Sequence, residues 1–388
     1  MLHLMHVAWR RLKATRLLGA ALLFTLAAIS PVAGQNTPSA YVEPANLAAL
    51  VAAAAKERTL TLGASDTFGG SKGAQLLQQH IEQKYHIAFE IQYSPVGSGG
   101  AFLRQLAQEV RAGQTASSDI AFTANDRSLP PILQRVDWHK YVPDLPQAAV
   151  VYDRRAVKLM TELVGFSYNT KLVAPKDVPH SFADLLKPQW KGHIATSPYQ
   201  GTFMAVLGLP NAFGPKRMLE FVKRFNEQVA GIMTCGQVDR IVTGEFLIYG
   251  LDCGDHEVRL RQRKGEAIAS IYPREATEVN YISPGIPLTA AHPAAARLFL
   301  TYLLTREGQN DLWELSAQDS DLMPGSHMAK VVAEMRRAHV NVVDGLQGTG
   351  LDERYPEFAE YGRQIDAIIM QGHYQRKEPR SEGFRHFV

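Results

Sequence analysis

Short apolar runs alternate with helix-like stretches of about 10–15 residues, and that alternation restricts what this chain can fold into more than any other property. Residues 59–65, 87–93 and 118–122 read as buried strands. Residues 46–56 precede them as a helix, and 74–84 and 102–112 lie between them with helical patterns. Gly69-Gly70 and Gly97-Ser98-Gly99-Gly100 punctuate the joins. Parallel strands need crossovers of this length, so the pattern predicts an α/β fold of βαβ units around a mostly parallel sheet. The grammar repeats at 163–169, an apolar strand ending in a polar turn. Near the end, 328–339 and 357–370 read as helices, the second with Phe358, Ile365, Ile368 and Ile369 on one broad face. Both helices are expected to pack on the first half of the fold, and the polar stretch 375–385 to fray.

The first 34 residues follow different rules. Arg10, Arg11, Lys13 and Arg16 precede an apolar run at 17–29, and Val32-Ala33-Gly34 offers small residues for cleavage, the pattern of a secretory signal peptide. That run is short of the roughly 20 residues that span a bilayer. No Cys lies near the expected cleavage point to take a lipid, and the surroundings of Arg10-Arg11 fit general secretion better than twin-arginine export. The leader holds four of the 41 Lys and Arg and none of the 38 Asp and Glu, so the remainder is close to neutral. Such a balance gives no electrostatic footprint for nucleic acid. Residues 35–388 exceed what one hydrophobic core usually covers, which predicts two lobes.

The chain has two cysteines, Cys235 and Cys253. Export favours pairing them, and closing the loop between them would stabilise by roughly 3 kcal/mol in the chain-entropy model. A thiol metal site is the alternative, although the close ligand spacing of such sites is missing.

Several segments together resemble a family. Lys56-Glu57 stands before the first strand, Gly165-Phe166-Ser167-Tyr168-Asn169-Thr170 matches a "G-F-x-Y-N-T" strand, and 182–192 matches "F-x-D-L-x-x-P-x-W-K-G". An apolar strand ending in Pro273 and the stretch 292–309, with His292-Pro293 and Glu307-Gly308-Gln309, complete the order. Over about residues 56–312 the chain resembles the type II periplasmic solute-binding proteins of ABC importers, in the branch of ferric-ion, thiamine, phosphonate and sugar-phosphate binders. The resemblance implies a two-lobe fold with one ligand in the cleft and two crossover segments, near 163–170 and 271–284. It divides the chain into a signal peptide (1–34), a first part of lobe I (35–165), lobe II (166–275), and a second part of lobe I with a C-terminal helical extension (276–388). The expected partners are a small-molecule ligand and an ABC permease of the inner membrane. A periplasmic monomer without cofactor is expected.

Open α/β sheets bind ligands outside the carboxyl ends of their strands, so the strand-end loops carry the candidate binding residues. These are Asp66 and Thr67, then Gly97, Ser98, Gly99 and Gly100, then Thr123 and Asn125, and in lobe II Ser197, Tyr199, Gly201 and Thr202. Two of the loops run into helices, whose first N–H groups and positive dipole end suit an anion; a plain turn and ordinary helix caps are the alternative readings. Tyr168, Tyr249 and Tyr272 lie near predicted strand ends and serve either the cleft or packing. Arg274 in the second crossover could neutralise an anion through its planar fork or pair with Glu275 or Glu278.

Ferric binders of this family carry a tyrosine pair soon after a Gly-Glu helix. Here Gly244-Glu245 is followed by Phe246-Leu247-Ile248-Tyr249-Gly250-Leu251-Asp252-Cys253, which lacks the pair. The residues therefore favour a small organic or phosphorylated anion over ferric ion, although Tyr249, Asp252 and Asp255 offer oxygen ligands to a hard cation. A thiamine-like cation would instead use Tyr168, Tyr199, Tyr272 and Asp66. His80, His86, His193 and His256 show no ligand spacing and read as surface or packing residues. No G-x-S-x-G elbow or H-E-x-x-H helix is present, so the chain is not expected to be an enzyme. A ligand sensor for a two-component system would share the same cleft.

Overall fold

The computed structural model describes residues 41–65, 68–96, 99–123, 129–198, 201–252, 254–344 and 357–377. The expected leader lies outside them. Residues 43–388 form one compact unit, built around separate sheets.

α1 (Leu47–Glu57) starts at Asn46, whose side chain accepts the Ala49 amide at 2.9 Å and so partners an otherwise unpaired helix N–H. β1 (Thr59–Ala64) follows and pairs in parallel with β2 (Glu90–Pro95) through α2 (Gly70–Tyr85). α3 (Gly99–Arg111) leads on to β3 (Ala121–Thr123). The strand expected from residue 118 starts three residues later because Ser118 and Asp119 meet β1 largely through their side chains, beside the Asp119 amide that donates to Thr61 O at 2.9 Å. Ser118 Oγ accepts the Gly63 amide at 3.0 Å and Asp119 Oδ2 the Thr61 amide at 2.7 Å. Asp119, wholly buried, also accepts the His292 amide at 2.9 Å and thereby ties β1 to a helix far along the chain.

The chain enters its second sheet through two crossovers. After the short hairpin β4 (Val150–Val151) and β5 (Ala156–Val157) comes β6 (Met160–Val164), then Gly165, then β7 (Phe166–Asn169). The apolar stretch at 163–169, expected as one strand, is thus two. β6 pairs with β12 (Thr277–Gly285), whereas β7 pairs with β11 (Ile268–Ile271), both antiparallel. Gly165 sits where the partner changes. A Cβ there would stand 2.3 Å from the Ile271 carbonyl oxygen, so no side chain fits.

β8 (Ile194–Thr196), β9 (Val229–Ile232) and β10 (Ile248–Tyr249) complete the second sheet, ordered β11-β7-β10-β8-β9. Over it lie α4 (Gly201–Met204) and α5 (Pro215–Gln228). α5 buries Met218, Phe221, Val222 and Phe225 at helical spacing. Phe182 meets Phe166 edge-on at 5.1 Å and Phe221 at 5.4 Å, which makes this core strongly aromatic. α6 (Asp239–Val242) and α7 (His256–Arg263) flank the other strands.

The return path rebuilds the first lobe with α8 (Pro293–Leu303), α9 (Arg306–Ser316), α10 (His327–Arg337) and β13 (Val342–Asp344). α8 is buried all round, and its Arg297 donates to Gln134 Oε1 at 2.6 Å and Pro293 O at 3.0 Å. Among the described residues no helix is long and apolar enough to cross a membrane.

The final helix, Phe358–Lys377, corrects an expectation. It packs on the second lobe, not the first. Ile365 and Ile369 are wholly buried in the aromatic core, Asn226 donates to the Ile368 carbonyl at 2.9 Å, and the Gly201 amide donates to Asp366 Oδ1 at 2.6 Å. The apolar stripe was readable, but a stripe names no partner.

Gly165→Ala forces the two crossovers apart and is expected to lower the unfolding free energy by about 1–3 kcal/mol in urea titration. Ile369→Ala is expected to cost about 2–5 kcal/mol, with amide exchange accelerating in α5 before α10.

Candidate functional site

Side chains alternate along the paired crossovers β6 and β12. Leu163, Val279 and Tyr281 face Met328, Val332 and Met335 of α10 and form an apolar contact. The opposite face carries polar residues, with Glu162 directly across from Asn280 and Glu278 across from Val164. Asn280 and Glu278 are 4% and 3% exposed. Charged and amide groups at that depth in a crossover are costly for stability alone, which marks this face as a candidate site.

The chain between β10 and α7 adds to it. Asp255, 1% exposed, joins three elements: Oδ1 accepts the Leu163 amide at 3.2 Å, and Oδ2 accepts the Tyr272 hydroxyl at 2.5 Å and pairs with the Arg259 guanidinium. Asp252 accepts the Ser167 hydroxyl, and its own amide donates to Gly165 O at 2.8 Å. Arg259 Nε donates to Ala317 O at 2.9 Å. Gln318, next in sequence, donates through Nε2 to Glu162 Oε1 at 3.0 Å. His256 Nδ1 lies 3.4 Å from the same oxygen.

Burial pushes Glu162 up to about 7, helped by the Asp255 and Asp252 charges against the Gln318 hydrogen bond and Arg259. Burial, with the Arg259 charge, pulls His256 down to about 4, so its ring is neutral at pH 7. Burial first, and then Asp255, hold Tyr272 well above the ordinary phenol range. Arg259 Nη2, His256 Nδ1, Asn280 Oδ1 and Gln318 Oε1 are buried without hydrogen-bond partners. The arrangement offers both donors and acceptors to a polar molecule.

The residues expected from the sequence fall into three groups. Asp66, Thr67, Gly97, Ser98, Asn125, Tyr199 and Cys253 lie outside the described residues. Tyr272 joins the cluster, and Asp252 and Asp255, first considered as metal ligands, are part of it. The others sit elsewhere. Gly99 opens α3, Gly100 is exposed beside it, and Thr123 ends β3 opposite Ser283. Tyr249 is wholly buried among Ala195, Met233, Val258 and Ile268, and half-buried Tyr168 packs on the aromatic core, so both serve packing. Ser197 is buried at the end of β8, and Thr202 lies inside α4. The Gly201 amide is already taken by Asp366, and a Cβ on it would stand 2.1 Å from Gly362 O.

Arg274 is exposed on the turn between β11 and β12, where its backbone joins His180 and Asn341. The arginine within the cluster is Arg259. Glu162, His256, Asn280 and Gln318 escaped the sequence reading. A carboxylate and an amide inside otherwise apolar strands were the available signal for Glu162 and Asn280. His256, read as surface or packing, has a near neighbour in Glu162 that only folding supplies.

Among the described residues no three His, Cys, Asp or Glu side chains are arranged to hold a metal ion. Residues 131–344, more than half of the chain, match the family model described as bacterial extracellular solute-binding protein. The Fe(3+)-binding periplasmic protein of Serratia marcescens is 24% identical over 227 residues, covering 53% of this chain and 64% of that protein. The chain thus spans less than two thirds of the length of the curated relatives it matches. Among solved structures, the substrate binding protein of an ABC transporter from Agrobacterium tumefaciens superposes with a TM-score of 0.63 at 17% identity, over 81% of this chain and 97% of that one. The periplasmic binding protein AfuA of Actinobacillus pleuropneumoniae, with fructose-6-phosphate bound, superposes with a TM-score of 0.56 at 17% identity, over 83% and 98%. These structures share the two-lobe fold, and the family match and the paired crossovers agree: this chain belongs to the bacterial extracellular solute-binding proteins.

Proposed function

We propose that the chain is the periplasmic solute-binding component of an ABC importer, closing its lobes on a small organic or phosphorylated anion and delivering it to an inner-membrane permease. The observation that carries this reading is the polar cluster buried where both crossovers join two separately built sheets. A solute seated there touches both lobes, so its binding energy acts directly on their closure. Arg259 takes the anion-facing role first given to Arg274, since its Nη2 is buried without a partner. Ferric ion is the weaker reading, because Asp252 and Asp255 already hold Ser167, Tyr272, Leu163 and Arg259. The leader at 1–34 directs export and is then removed, and the protein acts as a monomer.

Export also fits a Cys235–Cys253 disulfide. Cys235 is not a free thiol, and the chain holds just two cysteines.

Thermal-shift screening of phosphorylated and carboxylated solutes is expected to find one that raises Tm. At a hundred times its Kd, such a solute adds about 2.7 kcal/mol. Chemical turnover of that solute by the pure protein, or no stabilising solute in the panel, would overturn the reading. For the disulfide, mass spectrometry of unreduced protein from the periplasm is expected to give a mass lower by two hydrogens than the reduced form. Two alkylatable thiols in freshly isolated protein would rule the bond out.

A further inference from the structure

The crossover cluster contains a carboxylate held only by a neutral donor. Asp255 pairs with Arg259 and Asp252 accepts the Ser167 hydroxyl. Glu162 instead accepts the amide of Gln318 at 3.0 Å, and the nearby His256 ring is neutral at pH 7. Two more acceptors border the carboxylate. Gln318 Oε1 belongs to a wholly buried residue whose amide nitrogen already touches Glu162, and Asn280 Oδ1 belongs to a residue 4% exposed, directly across the ladder on the same face. Neither oxygen has a donor. Buried acceptors without donors are expensive, and two of them beside a carboxylate held by one neutral amide call for a group rich in N–H.

A primary ammonium fits that description, with three donors and one positive charge. Glu162 keeps 16% of its side chain in contact with solvent, enough for a solute to reach it. Resting on the solute-binding reading above, we infer that this cluster is the subsite for a primary ammonium group of the solute, held by Glu162 and the Asn280 and Gln318 amide oxygens. The solute is therefore zwitterionic: its acidic part meets Arg259, and its amine meets Glu162. The other polar groups facing the site are His256 on α7, Asp252 and Asp255 before it, Tyr272 in the second crossover and Glu278 on β12. Their net charge is negative, which favours a cation.

Methylammonium is the direct probe, with tetramethylammonium, equally charged but without N–H, as control at matched ionic strength. Methylammonium is expected to stabilise the wild type more than the control does, and Glu162→Gln to abolish the difference. Glu162 titrates at about 7 and binds the cation when ionised, so the apparent affinity is expected to rise about tenfold from pH 6 to pH 8. That profile needs no variant, and it decides the matter if Glu162→Gln does not fold. Equal effects of the two cations, or an affinity flat with pH, would overturn the subsite. A protein stabilised by an acidic solute yet indifferent to methylammonium loses the subsite and keeps the solute-binding reading. One that binds methylammonium through Glu162 but no acidic solute keeps the subsite and loses the anion.

Discussion

Gly165 and the Ile271 carbonyl lie closer than any side chain would allow, and the two-lobe arrangement depends on that contact. On one side of it the strands of the crossovers belong to the first sheet, and on the other to the second. Because the two segments run antiparallel at van der Waals distance, they behave as one joint.

Asp255 connects this joint to the rest. Its carboxylate is shared by an amide of the first crossover, a hydroxyl of the second and a guanidinium on α7. From α7, Arg259 reaches Ala317 O, and Arg263 reaches Trp313 O at 2.9 Å, where the last carbonyls of α9 and its negative dipole end favour cations. Trp313 stacks on His327 at 4.1 Å and lies 4.8 Å from the Arg263 guanidinium. These contacts join α7 to α9 and α10 of the first lobe.

The final helix gives the second lobe a wall that its own consecutive sequence lacks. Asp366 accepts the Gly201 amide at the start of α4, the kind of N–H that a bound anion would otherwise use. Burial raises the Asp366 carboxyl against the opposing effect of that bond. The start of α4 is thus held by a residue 165 positions away.

The alternation of strands and helices was legible because hydrophobic periodicity is a local property, and so were the apolar faces of α5 and the final helix. The break at Gly165 was not, since a glycine within an apolar run still reads as strand; it exists because two different partner strands lie alongside. For the same reason sequence pointed to Arg274 and overlooked Arg259 and Glu162. Nearness to a predicted crossover is written along the chain, whereas burial and hydrogen-bond partners come from distant segments, as Gln318 lies 156 residues from Glu162. The sequence by itself determined the α/β class, the family order of segments and the candidate loops, all of which need only local pattern. Which polar groups converge, and which lobe the last helix completes, was decided by tertiary packing, because a side chain's charge state and partners are set by the neighbours that folding brings to it.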